Sequence, residues 1–144
     1  MATVACVFAM GGSCEPEPPP RAPLPVAKFA FSYDRSGGLA PMPQRLVVRP
    51  GRKATAVAVG PDRKSHRVEF RLSVAATEQL RDAAEAANLA KIGAEAPGTC
   101  ADCFVYTVAY RGDSVSIDQA SLPPGLSKLV SRSEALIAAH LPFH

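Results

Sequence analysis

Phe104-Val105-Tyr106-Thr107-Val108-Ala109-Tyr110-Arg111-Gly112-Asp113-Ser114-Val115-Ser116-Ile117 is the stretch on which the fold reading turns. Phe104, Tyr106, Val108 and Tyr110 alternate with smaller or polar residues, the period of a half-buried strand. Arg111-Gly112-Asp113 supplies a turn, and Val115 to Ile117 returns as the second arm of a hairpin. Upstream, the apolar period changes to three and four. Ser73 is a suitable N-cap, and Ala76, Leu80, Ala83, Ala84, Ala87 and Leu89 fall on one helical face, with Gly93 as the stop. Downstream, Leu122-Pro123-Pro124-Gly125 opens a final helix with Leu126, Leu129, Val130, Ser133, Leu136 and Ile137 on its stripe. Further upstream, strands are expected at Phe29–Tyr33, Arg45–Arg49, Ala54–Val59 and Val68–Leu72. Arg35-Ser36-Gly37-Gly38, Pro50-Gly51 and Gly60-Pro61-Asp62 serve as turns. The order is strands, helix, hairpin, helix, without a βαβ rhythm. It specifies an α+β fold: an antiparallel β-sheet with two helices packed on one face. Phe29, Phe31, Val48, Phe70, Leu80, Tyr106, Val108, Leu129, Val130 and Ile137 are the expected core.

With 144 residues, 47% apolar and 20% charged, the chain has the size of one domain and an ordinary globular composition. Disordered, collagen-like, disulfide-dense and membrane-spanning classes are excluded on those grounds. The net charge of +3 is unevenly spread. Residues 44–71 carry eight basic groups (Arg45, Arg49, Arg52, Lys53, Arg63, Lys64, Arg67, Arg71) against Asp62 and Glu69. Residues 72–144 carry five basic and eight acidic groups. Phe70 is alone among these cations, so the aromatic platforms of single-strand nucleic-acid binders are missing and no nucleic-acid partner is expected. The basic stretch reads as a solvated sheet face and turn.

The N-terminal residues 1–14 read as the remnant of a leader. Ala2 to Met10 is apolar and too short to cross a bilayer, which takes about 20 residues. It ends in Gly11-Gly12-Ser13-Cys14, small residues that resemble a bacterial lipoprotein cleavage box in which Cys14 takes the lipid. A positive n-region is missing, and Gly11 stands where such boxes usually carry Leu. Residues 15–25 form a linker holding six of the 14 prolines, a composition that favours an extended, semi-rigid spacer. The domain is then expected over residues 26–144, with the cell envelope or the exterior as its location. A cytoplasmic protein follows instead if Met1 is the unprocessed start. Contact with a membrane is expected only through a lipid on Cys14, and nothing in the sequence fixes an oligomeric state.

Few motifs carry chemistry. Cys100-Ala101-Asp102-Cys103 precedes a strand, whereas a redox pair needs the first Cys at a helix N-terminus following a strand. Half a zinc site is another reading of the motif, but no second pair exists and His66, His140 and His144 are scattered, so no metal is expected. In an exported chain, a small disulfide between Cys100 and Cys103 is the favoured reading. His66 reads as a solvated loop residue. Nucleophile elbows, phosphate loops and dinucleotide fingerprints are absent, so neither catalytic residues nor a cofactor are expected and a binding role is the default.

The order of several weak signals is more specific than each alone. A Phe-rich strand runs into Arg35-Ser36-Gly37-Gly38-Leu39-Ala40, Cys103-Phe104-Val105-Tyr106-Thr107-Val108 precedes the hairpin, and Leu122-Pro123-Pro124 starts the last helix. This pattern, from about Phe29 to Leu141, resembles the emfourin-like family of small bacterial domains, inhibitors of protealysin. The resemblance implies a non-catalytic protein that binds a thermolysin-like zinc metalloprotease. If the resemblance holds, the partner-binding surface is expected on Arg35, Ser36, Gly37, Gly38, Leu39 and Pro41; the plainer reading of the same segment is a turn that caps a hairpin, with Leu39 folded onto the core. The glycines would let the backbone approach a partner, and Pro41 and Pro43 would restrict the loop. Leu39 would offer the bulky apolar side chain that such proteases favour just after the scissile bond. The alternative is a cell-envelope lipoprotein with a structural or ligand-presenting role and no inhibitory activity.

Overall fold

Alternating side chains along Phe31-Ser32-Tyr33 make the first strand bury one face and leave the other to water. The same alternation recurs along most of the sheet, broken in β3, where Thr55 is buried between Ala54 and Ala56, and at the end of β6, where Asp118 is buried beside Ile117. The computed structural model describes residues 21–40, 42–93 and 100–143. Six strands form one antiparallel sheet: β1 (Phe31–Gly37), β2 (Gln44–Arg49), β3 (Lys53–Val59), β4 (Ser65–Arg71), β5 (Phe104–Tyr110) and β6 (Asp113–Asp118). Their spatial order is β4-β3-β2-β1-β5-β6. Helices α1 (Val74–Ala87) and α3 (Pro124–His140) cover one face, and a single turn, α2 (Leu89–Ile92), lies against β6. The fold is therefore α+β, as the sequence pattern specifies.

The core lies between the sheet and the helices. Phe31, Tyr33, Leu46, Val48, Val108 and Val115 point inward from the strands to meet Leu80 and Ala84 of α1 and Leu126, Leu129 and Ile137 of α3. Each fully buried leucine contributes about 2–3 kcal/mol by leaving water. Of the expected core residues, only Phe70 is half-exposed, because β4 is the outer strand of its side. Ser73 caps α1, its hydroxyl accepting the Ala76 N–H at 3.0 Å. Two Tyr–Glu–Arg sets tie helices to sheet. Tyr33 donates to Glu134 on α3, and Tyr110 donates to Glu85 on α1 at 2.7 Å; Arg35 and Arg111 pair with the same carboxylates. Burial, reinforced by the neighbouring carboxylate, raises both phenol pKa values above the ordinary range.

Local departures from the sequence pattern have identifiable causes. The first strand starts at Phe31, because Phe29 follows a 3-10 turn (Val26–Lys28), although Phe29 is buried as expected. Asn88, at φ 49°, ends α1 in the left-handed region that Asn tolerates, so the expected single helix to Gly93 is divided. His66 lies in β4, where its side chain turns to the helix side and is half-buried; it is not a solvated loop residue. Contacts to the domain begin before Val26. Leu24 rests on the core, and its carbonyl accepts from Arg81, while the Ala22 carbonyl accepts from Arg111. The leader, including Cys14, and the first part of the linker lie outside the described residues.

Candidate binding loop and its anchor

The segment Arg35-Ser36-Gly37-Gly38-Leu39 is a strand end followed by a turn, not a turn throughout. Arg35 pairs with Gln44 of β2 and Tyr106 of β5, the last residue of β1 held on both sides; Ser36 and Gly37 continue the strand against β5 alone, with Gly37 opposite Phe104. Strand alternation then decides what each residue does. Arg35 shares the inward face with Phe31 and Tyr33, and its side chain is only 14% exposed. The guanidinium donates to Glu134 Oε1 and to the Met42 carbonyl, each at 3.0 Å, and sits 4.4 Å above the Phe104 ring. One arginine thus fastens both ends of the β1–β2 loop to α3 and β5. Ser36 faces the opposite, uncovered side of the sheet and is exposed.

Both glycines are required from within. Gly37 has φ +77°, and a Cβ there would lie 3.0 Å from the Cys103 carbonyl oxygen. Gly38 has φ +88°, and a Cβ would strike the Phe104 ring at 2.6 Å. Their missing side chains make room for the protein's own β5, so the expectation that they clear a path for a partner is replaced by an internal one. Leu39 is the residue that remains free. It is 83% exposed, the most exposed large apolar side chain among the described residues. It does not fold onto the core. Pro41 lies outside the described residues.

Beside Leu39 opens a cleft of about 820 Å³ between this loop and the β3–β4 turn. Leu39, Met42, Pro43, Val59 and Pro61 give it apolar walls, and Arg63 stands on its rim. The size is that of a pocket for a small ligand or a few side chains. The cysteine sulfurs of Cys100 and Cys103 lie at bonding distance just before β5, next to the strand end that Gly37 pairs with. The β3–β4 turn on the far wall is held by Asp62, which accepts from the Lys64 N–H and contacts His66 at 2.9 Å. Those contacts, the one to His66 first, lower the Asp62 pKa.

Among the described residues no three His, Cys, Asp or Glu side chains stand together as a metal site. No helix among them is long and apolar enough to cross a membrane. Arg35 was legible in the sequence as part of the site, but its role as the anchor depends on Glu134, 99 residues away. Nothing local marks such a partner. No protein family and no curated protein matches the chain.

Proposed function

We propose that this is a non-catalytic binding domain that presents Leu39 to a thermolysin-like zinc metalloprotease, the class its emfourin-like motifs imply. The carrying observation is the pairing of a highly exposed leucine with a loop whose two ends are fixed by one buried arginine. An inhibitor that must enter a cleft gains from such a loop, because little conformational freedom is left to lose on binding. The apolar cleft beside Leu39 extends the surface toward the β3–β4 turn. A cell-envelope location, through a lipid on Cys14, belongs to the same proposal and draws on the leader and proline spacer.

The test is an inhibition assay of the full chain against several thermolysin-like proteases. The parent should inhibit, and Leu39→Asp should weaken inhibition about a hundredfold, the loss expected for a central apolar anchor. Gly38→Val is unsuitable as a probe of contact, since the added carbons would collide with Phe104 before meeting any partner. Equal potency of Leu39→Asp and parent would remove the loop from the reading. Absence of inhibition by the parent would leave the lipoprotein role alone.

A further inference from the structure

The uncovered face of the sheet carries its cations in a pattern. On β2, β3 and β4 the outward positions place Arg45, Val57 and Arg67 in one register row and Arg49, Lys53 and Arg71 in another. The first row is neutralised: Arg45 pairs with Asp34 at 2.7 Å and Arg67 with Glu69 at 2.8 Å. The second is not. Arg49, Lys53 and Arg71 are exposed, stand directly opposite one another on three adjacent strands, and make no ion pair among the described residues. Neighbouring strands are about 4.8 Å apart, so the backbone positions of the three cations fall within about 10 Å. Like charges facing across strands oppose pairing. Charge on the outer strand β4 guards an open edge, but that explanation covers Arg71 and leaves Arg49 and Lys53 on interior strands without one.

The row lies at a definite place. It occupies the end of the sheet where β2 turns into β3 and β5 turns into β6, opposite the end that carries Leu39. Lys28 is exposed at the same end, in the 3-10 turn that contacts α1 and whose Ala27 carbonyl accepts the Gly51 N–H at 3.0 Å. The first described residues are fastened at this same end, where Arg21 meets Asp113 and the Ala22 carbonyl meets Arg111. Acids at this end already have partners: Asp113 meets Arg21, Glu85 meets Arg111 and Tyr110, and Glu69 meets Arg67.

We propose that Arg49, Lys53 and Arg71, with Lys28 at the same end of the sheet, form a docking surface for an anionic lipid bilayer. The surface stands by itself on charge and placement; the lipid on Cys14, part of the proposed function, adds only proximity. Six residues separate Cys14 from Arg21, and the seven Cα–Cα steps between them span at most about 25 Å. A bilayer holding Cys14 therefore lies within that reach of the cationic end; with the row docked on it, Leu39 and its cleft, at the opposite end of the sheet, face away from the membrane, toward a soluble partner. Nucleic acid is the competing polyanion, but no aromatic side chain lies between the cations of the row to stack a base.

The full chain, without acyl modification, is sedimented with vesicles of phosphatidylcholine alone and with vesicles doped with phosphatidylglycerol. Binding is expected only to the doped vesicles, and should fade between about 0.05 M and about 0.3 M salt as screening sets in. Each Lys or Arg removed should weaken partitioning roughly fivefold. The triple variant Arg49→Glu, Lys53→Glu, Arg71→Glu should then lose at least about a hundredfold, with its melting temperature recorded to show that it folds. The matched variant Lys64→Glu, Lys128→Glu, Arg132→Glu, all exposed positions off this row, should keep most of the binding. Equal loss in the two variants would reduce the effect to net charge and overturn the proposal, as would no binding to doped vesicles. Tighter binding to duplex DNA than to vesicles would reassign the row to nucleic acid. None of these outcomes depends on whether Leu39 inhibits a protease.

Discussion

Arginine does opposite work at the two ends of this sheet. At the Leu39 end, Arg35 points inward, donates to Glu134 and the Met42 carbonyl, and covers the Phe104 ring, so its charge is spent on holding a loop. At the other end Arg49 and Arg71 point outward beside Lys53 and make no ion pair among the described residues; Arg49 only helps Arg67, the direct partner of Glu69, to lower the pKa of that carboxyl. A buried cation with a distant partner buys rigidity in one loop; exposed cations in register leave a field for something outside the molecule. Residue type does not separate the two cases. Strand parity does, because a shift of one position sends the side chain to the opposite face.

The largest expected effect breaks the comparison at its buried side. Arg35→Ala removes the guanidinium from Glu134, leaves the Met42 carbonyl without its donor and uncovers Phe104. Because the pair is partly open to water, the cost should be about 2 kcal/mol rather than that of a fully buried pair. Arg71→Ala at the other end should stay within about 0.5 kcal/mol. Urea denaturation of the two variants measures both. A loss below about 0.5 kcal/mol for Arg35→Ala would show that the loop is held by other contacts.

The same contrast shows what was legible in the sequence. The six strands and the two long helices follow from periods of two and of three to four, and Ser73 marks the start of α1 through local chemistry, whereas its end at Asn88 was not read and Gly93 closes only the short α2. Arg35-Ser36-Gly37-Gly38 reads locally as a turn, yet pairing with β5 draws its first three residues into β1, Arg35 also pairing with β2, and leaves only Gly38 in the turn. His66 is similar: surrounded by polar residues in sequence, it is carried to the helix side by the pairing of β4 with β3. In the candidate site, Leu39 was legible as the one large apolar residue between Arg35 and Pro41. Glu134 was not, since its partners Tyr33 and Arg35 come from the other end of the chain.

A second expected effect compares the two Tyr–Glu–Arg sets, one at each end. Tyr33 and Tyr110 have folded-state pKa values raised above the ordinary value near 10, chiefly by burial. Between the unfolded and the folded pKa, the unfolded chain has released a proton that the native phenol keeps. Stability is thus fully present below about pH 10 and falls as pH rises beyond it, by about 1.4 kcal/mol per pH unit for each tyrosine. Tyr33→Phe and Tyr110→Phe should each remove a comparable part of that alkaline slope in denaturation series at successive pH values. An unchanged slope in one variant would mean that its phenol ionises freely in the native state, and that its end of the sheet is the looser.

The smallest expected effect concerns the unpaired row, and its sign is the informative part. Lys53 faces Arg49 on one side and Arg71 on the other, so Lys53→Glu turns two repulsions into two attractions across neighbouring strands. Cross-strand charge pairs are worth a few tenths of a kcal/mol each when exposed, and the variant should gain about 0.5 kcal/mol at low salt. The gain should shrink in concentrated salt, where the Debye length falls to about 3 Å. Arg45→Glu is the contrasting change. Arg45 already pairs with Asp34 at 2.7 Å, and reversal there sets two carboxylates together, so that variant should lose stability. Lys53→Glu should also weaken binding to anionic vesicles while it stabilises the fold. A residue whose replacement strengthens the protein but weakens an interaction is held in place by that interaction. If Lys53→Glu instead destabilises the sheet at low salt, the three cations have splayed apart enough to ignore one another, and the row exerts no concentrated field.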